Sequence, residues 1–224
     1  MVETTRFLVA HTHAKVGYTQ SDEISLCWQS DRIESAIFFD GRKQKMVSQL
    51  AALATQKFNA LLFTHEDPWC RDAASRAPTF DARIFQLPNR TECTNAFVWR
   101  ELDATRNALE MAARAHYSHK QLDGKNGSDL NELLFQKGIN FNDYPAFFKR
   151  GVYLQRRLIE KTLSESDWLK IPEKHRPVER KVLRSNVIEL DLPPILRIPN
   201  REEVLFEAAE PMVLAVASAV PNDE

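Results

Sequence analysis

The residues best placed for chemistry are the run Ser21-Asp22-Glu23. It stands between two short stretches with period-two alternation: Val16 and Tyr18 before it, and Ile24, Leu26 and Trp28 after it. Alternation on both sides of a polar cluster is a hairpin signal, which places the three residues at or beside the tip. Neighbouring residues there point to opposite faces, so one carboxylate can reach a hard cation while the other pairs locally. Mg²⁺ favours one or two carboxylates together with substrate phosphates over a closed protein cage. An acidic turn that is merely solvated gives the same pattern.

Arg42 and Lys45 are next, at spacing i, i+3. Met46, Leu50, Leu53, Ala54 and Phe58 predict a helix from about residue 42 to 59, and this places both cations in its first turns. A helix N-terminus itself favours anions, so the pair suits a triphosphate. His11 and His13 form an HxH pair without a nearby acid or cysteine, and a solvated helix end accounts for them better than zinc does. Basic residues gather from Arg114 to Lys125, from Lys149 to Arg157 and from Lys170 to Arg184. The last run holds six bases against two acids. Tyr117, Tyr153 and Trp168 lie in or near these runs, as on a surface where RNA bases stack.

The elements that must carry these residues fit one large domain or two small ones. The chain has 224 residues, 43% of them hydrophobic, which is enough to bury a core without disulfides. Its formal charge of −1 means that a polyanion would have to be held by a local patch. Cys27, Cys70 and Cys93 are scattered, which argues against a disulfide framework and a zinc finger and fits a reducing compartment. With neither a signal-peptide pattern nor a long apolar run, the expectation is a soluble cytoplasmic protein with no membrane partner. Strands are expected at residues 80–88, 151–163 and 180–190, and long helices from about 42 to 59 and 91 to 115, the second capped by Thr91 or Thr94. Ser128 should open a short helix that stops at Gly138, with Glu132 near the capping-box position. Alternating strands and helices give an α+β class, an α/β sandwich with helices mainly on one face of a sheet. The expected division is a core over 1–192 with C-terminal RNA-binding elements, then a proline-rich, acidic and partly disordered tail over 193–224.

Four blocks in this order, GYTQSDEISL (17–26), FDARIFQLP (80–88), WRELDATRN (99–107) and SDLNELLFQKGIN (128–140), resemble the tRNA-His guanylyltransferase family. The resemblance covers roughly residues 1–190 and is nearest to the Thg1-like branch, 3′-to-5′ polymerases that repair 5′-truncated tRNAs. It implies a polymerase- or cyclase-like palm with an antiparallel sheet, usually assembled as a homo-tetramer, with tRNA as partner, Mg²⁺ as cofactor, and ATP and GTP as substrates. Asp22 matches the metal aspartate, flanked by Ser21 at the nucleotide and Glu23 in a supporting catalytic role. Arg42 and Lys45 match the triphosphate grip, and Asn107 matches an activation-site asparagine. Asn131 and Glu132 match the family's KNE-type motif. Within the basic segments, Lys149, Arg150, Arg156 and Arg157 are expected to carry tRNA.

This sequence departs from the family at three points. Thr105 replaces the histidine of a HINN-type motif and Leu130 replaces the lysine of the KNE-type motif, and both changes favour template-dependent repair. The family's N-terminal strand, ending in an Asp-Gly-Arg turn, has no counterpart before Thr4, so the palm is expected to be N-terminally truncated. Asp40-Gly41-Arg42 falls in the wrong place to supply that turn. Two functions therefore stand as expectations: a Mg²⁺-dependent tRNA 5′-end nucleotidyltransferase, or a non-catalytic tRNA-binding remnant of that family. A nucleotide cyclase is a third palm possibility, disfavoured because there is no GGDEF-type turn.

Overall fold

The structure, a computed structural model, describes residues 1–30 and 37–212. In chain order the elements are α1 (Val2–Thr12), β1 (Val16–Gln20), β2 (Glu23–Cys27), α2 (Lys43–Thr64), α3 (Pro68–Ser75), α4 (Arg90–Arg114), α5 (His119–Leu122), α6 (Gly127–Gln136), α7 (Ala146–Arg150), β3 (Val152–Thr162), α8 (Glu165–Leu169), β4 (Lys181–Leu190) and α9 (Arg201–Glu207). They group into two compact units. One comprises Met1–Thr19, Ile24–Phe85 and Leu154–Leu190. The other comprises Gln20–Glu23, Gln86–Tyr153 and the residues from Asp191 on.

The sheet has the order β2-β1-β3-β4, antiparallel, which makes the fold α+β as the alternation of elements implied. All five residues of β1 are buried, so both faces of the sheet are covered at that strand. Helix α1 lies on the sheet because Gly17 has no side chain. A Cβ at Gly17 would sit 2.5 Å from Val9 Cγ2 and 2.9 Å from Thr5 Cγ2, and both partners are fully buried. Gly17→Ala is therefore expected to destabilise the protein by about 1–3 kcal/mol, seen as a lower urea midpoint at unchanged slope. At the other end of the sheet, Arg6 of α1 donates to the Val187 carbonyl of β4 at 2.8 Å. Helix α2 packs on α1 and buries Met46, Leu50 and Ala54, the i, i+4 stripe read from the sequence.

Residues 80–88 do not form the expected strand. Alternation tells which face a segment would bury but not whether a sheet edge is there to pair with it. At the segment's start the Phe80 N–H donates to Thr55 Oγ1 at 2.9 Å, and just before it Asn59 Nδ2 donates to the Pro78 carbonyl at 2.8 Å. Side chains of α2 thus satisfy backbone groups that a ladder would otherwise take.

In the second unit α4 is the spine, with α6, α7 and α9 packed along it. Its cap is Asn89, whose side chain accepts from Glu92 N, rather than Thr91 or Thr94. Likewise Asn126 and Asp129 form the capping box of α6, in place of Ser128 and Glu132. Ala108, Leu109, Ala112 and Ala113 of α4 form a core with Leu130, Leu134 and Phe141. Residues 195–207 are no appendage. Ile195, Ile198, Val204, Leu205 and Phe206 are all nearly or fully buried, and α9 packs on α4. The expected disorder at 213–224, like the run 31–36, lies outside the described residues.

Glu101 of α4 is buried and accepts the Ile195 N–H at 2.9 Å, fastening this C-terminal segment. Burial pushes its carboxyl above the usual range. The Ile195 N–H, the Tyr153 hydroxyl and the Arg150 guanidinium oppose that shift without cancelling it. A raised folded-state value favours the protonated acid, so its contribution is present at low pH and is lost as pH rises through that value. Glu101→Gln should accordingly gain melting temperature relative to the wild type as pH is raised from about 5 to 8.

Candidate functional site

The β1–β2 hairpin turns through only Ser21 and Asp22. Ser21 takes a left-handed φ of 46°, a conformation that is uncommon for a residue with a side chain. All three residues of the acidic run are exposed, but their carboxylates differ in environment. Glu23 Oε2 accepts from Gln20 Nε2 at 2.8 Å and from the Arg100 guanidinium of α4. Arg100, only 20% exposed, also faces Asp103 at 3.7 Å and lies 5.1 Å from the centre of the Trp99 ring. Asp103 is 17% exposed and takes a salt bridge from Arg106 and a 3.3 Å hydrogen bond from Asn107 Nδ2. Glu23, Arg100, Asp103 and Arg106 thus form a chain of alternating, self-cancelling charges, with Asn107 bonded to Asp103. The tip and the segment expected to line the activation site are joined through it.

Arg100, Asp103 and Gln20 were not singled out from the sequence. The spacings Arg100–Asp103 and Asp103–Asn107 were readable as same-face helix neighbours. The partner across from Arg100 was not, because it comes from the tertiary fold.

In the first unit, Arg42 is the residue that caps α2 instead of part of its first turn, and it supplies no side-chain cap bond. It is 71% exposed and pairs with Asp40 at 3.4 Å. Lys45 lies 5.4 Å from the centre of the Phe39 ring. With Lys43 between them and no acid in the first turn, the start of α2 offers uncapped N–H groups beside three cations. Such an end can grip clustered anionic oxygens.

On α6, Asn131 and Glu132 are exposed. Asn131 Nδ2 donates to its own helix at Gly127 O, 3.0 Å away, and Glu132 accepts from Gln136 at 3.2 Å. The residues that depart from the family are both built into the second unit: Leu130 is 5% exposed in its core, and Thr105 Oγ1 donates to the Glu101 carbonyl at 2.9 Å. The four expected tRNA contacts each donate to protein. Lys149 reaches the Asn142 carbonyl, Arg150 the Leu192 carbonyl, Arg156 the Ala14 carbonyl, and Arg157 the Gln155 side chain. Each anchors local structure and keeps its charge. His11 stacks on Phe7 and His13 ends α1, as expected of a solvated helix end. Among the described residues no three acids, histidines or cysteines gather as a closed metal cage. Asp22, an exposed carboxylate with no ion pair among the described residues, does fit a cation whose other ligands are substrate phosphates and water.

Residues 1–88 match the family model described as tRNAHis guanylyltransferase. Among solved structures, a bacterial tRNA(His) guanylyltransferase-like protein in complex with ATP is 30% identical with a TM-score of 0.69, covering 92% of this chain and 76% of that one. The chain belongs to the tRNA(His) guanylyltransferase family. A bacterial guanylyltransferase-like protein in complex with GTP is 29% identical at a TM-score of 0.61, covering 91% and 74%. The probable tRNA(His) guanylyltransferase of Drosophila melanogaster is 28% identical over 155 residues, 64% of this chain and 51% of that protein. This guanylyltransferase-family chain therefore spans about half the length of that curated relative. Among its described residues no helix is long and apolar enough to cross a membrane.

Proposed function

We propose that the chain is a tRNA 5′-end nucleotidyltransferase that adds nucleotides in the 3′-to-5′ direction to repair truncated tRNAs. Asp22 carries this reading: it stands exposed at the hairpin tip, while the carboxylate beside it is neutralised by Arg100. The ATP and GTP complexes of the bacterial relatives support nucleotide substrates here.

The reaction has two displacements at phosphorus. An oxygen of the RNA 5′-monophosphate attacks the α-phosphorus of ATP or GTP, and pyrophosphate leaves. The 3′-hydroxyl of the incoming nucleotide then attacks the activated 5′-phosphate, and the activating nucleoside monophosphate leaves. Arg42, Lys45 and the N–H groups of α2 hold the triphosphate oxygens. They neutralise the charge that builds on the leaving group and orient the chain of phosphates in line. Asp22 would hold Mg²⁺, which when bound polarises phosphoryl oxygen and favours the attacking oxygen. Asn107, fixed by Asp103, would offer its amide to the activated end. Lys149, Arg150, Arg156 and Arg157 would meet tRNA phosphates with the donors not spent on protein; a guanidinium alone has five N–H groups.

The activation step tests this reading separately from addition. α-Labelled ATP and a 5′-monophosphorylated tRNA should yield label on the RNA 5′ end, and a 5′-hydroxyl tRNA should yield none. Equal labelling of both RNAs, or of neither, rules the proposal out. Binding of tRNA should weaken steeply with salt, because it rests on phosphate contacts.

A further inference from the structure

We propose that Arg100 is the positioning residue of the hairpin tip: it holds Glu23 down on α4, so that Asp22 alone is presented to a cation. This deepens the reading of the tip as a metal and nucleotide site and rests on it. Three observations support it. First, Glu23 Oε2 already accepts from both Gln20 and Arg100, and a carboxylate engaged with a guanidinium is a poor ligand for a second cation. Second, Arg100 is itself fixed, by Asp103 on its other side and against the face of Trp99, and is mostly buried. Third, the chain from Glu23 through Arg100 and Asp103 to Arg106 sums to zero charge. The negative charge left at the tip belongs to Asp22. Arg100 touches no reacting atom in this arrangement. Its effect on Asp22 passes through Glu23 and a turn of only two residues.

A Mn²⁺ titration of the whole chain, followed by the electron paramagnetic resonance signal of free ion, tests this with the metal alone as probe. Asp22→Asn should weaken Mn²⁺ binding by about ten-fold or more, and Glu23→Gln by about two-fold or less. Arg100→Ala releases Glu23 to join Asp22, so binding should tighten about five-fold, and adding Glu23→Gln should bring it back to the wild-type value. Arg100→Lys keeps a cation against Glu23 and should stay near wild type. A purely structural role would not tighten metal binding. Unchanged affinity in Arg100→Ala overturns the proposal, as does a Glu23→Gln loss equal to that of Asp22→Asn. Amide hydrogen exchange at residues 21–23 distinguishes this from failure of the functional reading. Faster exchange in Arg100→Ala, restored by Arg100→Lys, supports the positioning role even if Asp22→Asn leaves Mn²⁺ binding intact, a result that would remove the metal role of Asp22. Unchanged exchange there overturns the positioning role.

Discussion

Asp22→Asn is expected to lower nucleotide addition by about 10²- to 10³-fold while the melting temperature stays within a degree or two of wild type. The side chain is exposed at a turn and anchors nothing in the core, so its removal costs little stability. In-line attack at phosphorus gathers charge on the attacking and leaving oxygens, and the proposed role of Asp22 is to hold the Mg²⁺ that meets it. Asparagine keeps the size and loses the charge, so a cation is no longer held there. Single-turnover rates at saturating nucleotide are the measurement. A loss confined to KM would assign Asp22 to nucleotide binding instead of the chemical step.

The second large effect belongs to α2. On the proposed function, Arg42→Ala and Lys45→Ala each remove one charge-assisted donor to the triphosphate, worth about 1.5–3 kcal/mol, or roughly a ten- to hundred-fold rise in KM for ATP or GTP. The structure separates the two variants. Arg42 is the capping residue and pairs with Asp40, so its loss also frees a nearby carboxylate that repels phosphate. Lys45 rests against Phe39, and its loss removes a cation without exposing an acid. Arg42→Ala is therefore expected to be the more damaging, and replacing Asp40 by asparagine in that background should recover part of the loss. Steady-state titration of the triphosphate at fixed tRNA measures both.

Much of this was legible because short-range patterns report local structure. Alternation on either side of Ser21-Asp22-Glu23 gave the hairpin, and the stripe of Met46, Leu50 and Ala54 gave α2. What stayed hidden depended on distant partners. The alternation of residues 80–88 was real, but the segment enters against α2, whose side chains bond the Phe80 N–H and the Pro78 carbonyl. The proline-rich text after Leu192 reads as a tail, yet Ile195 and Ile198, one short turn apart, are both buried with Val204, Leu205 and Phe206. The two carboxylates of the tip look equivalent in sequence. The approach of Arg100, remote in the chain, makes Glu23 the ion-paired carboxylate, while Asp22 has no ion pair among the described residues.

The most direct test supplies the chain with a tRNA lacking its first 5′ nucleotide, Mg²⁺, ATP and each labelled nucleoside triphosphate in turn. The account predicts an RNA longer by one nucleotide, with the label released by a 5′-specific nuclease. It also predicts a strong preference for the nucleotide that pairs with the opposite strand of the acceptor stem, and about 10²- to 10³-fold slower product formation by Asp22→Asn. Salt-sensitive binding of the tRNA with no extension, indifferent to Mg²⁺ and to Asp22, would contradict it and leave an RNA-binding protein in place of a polymerase.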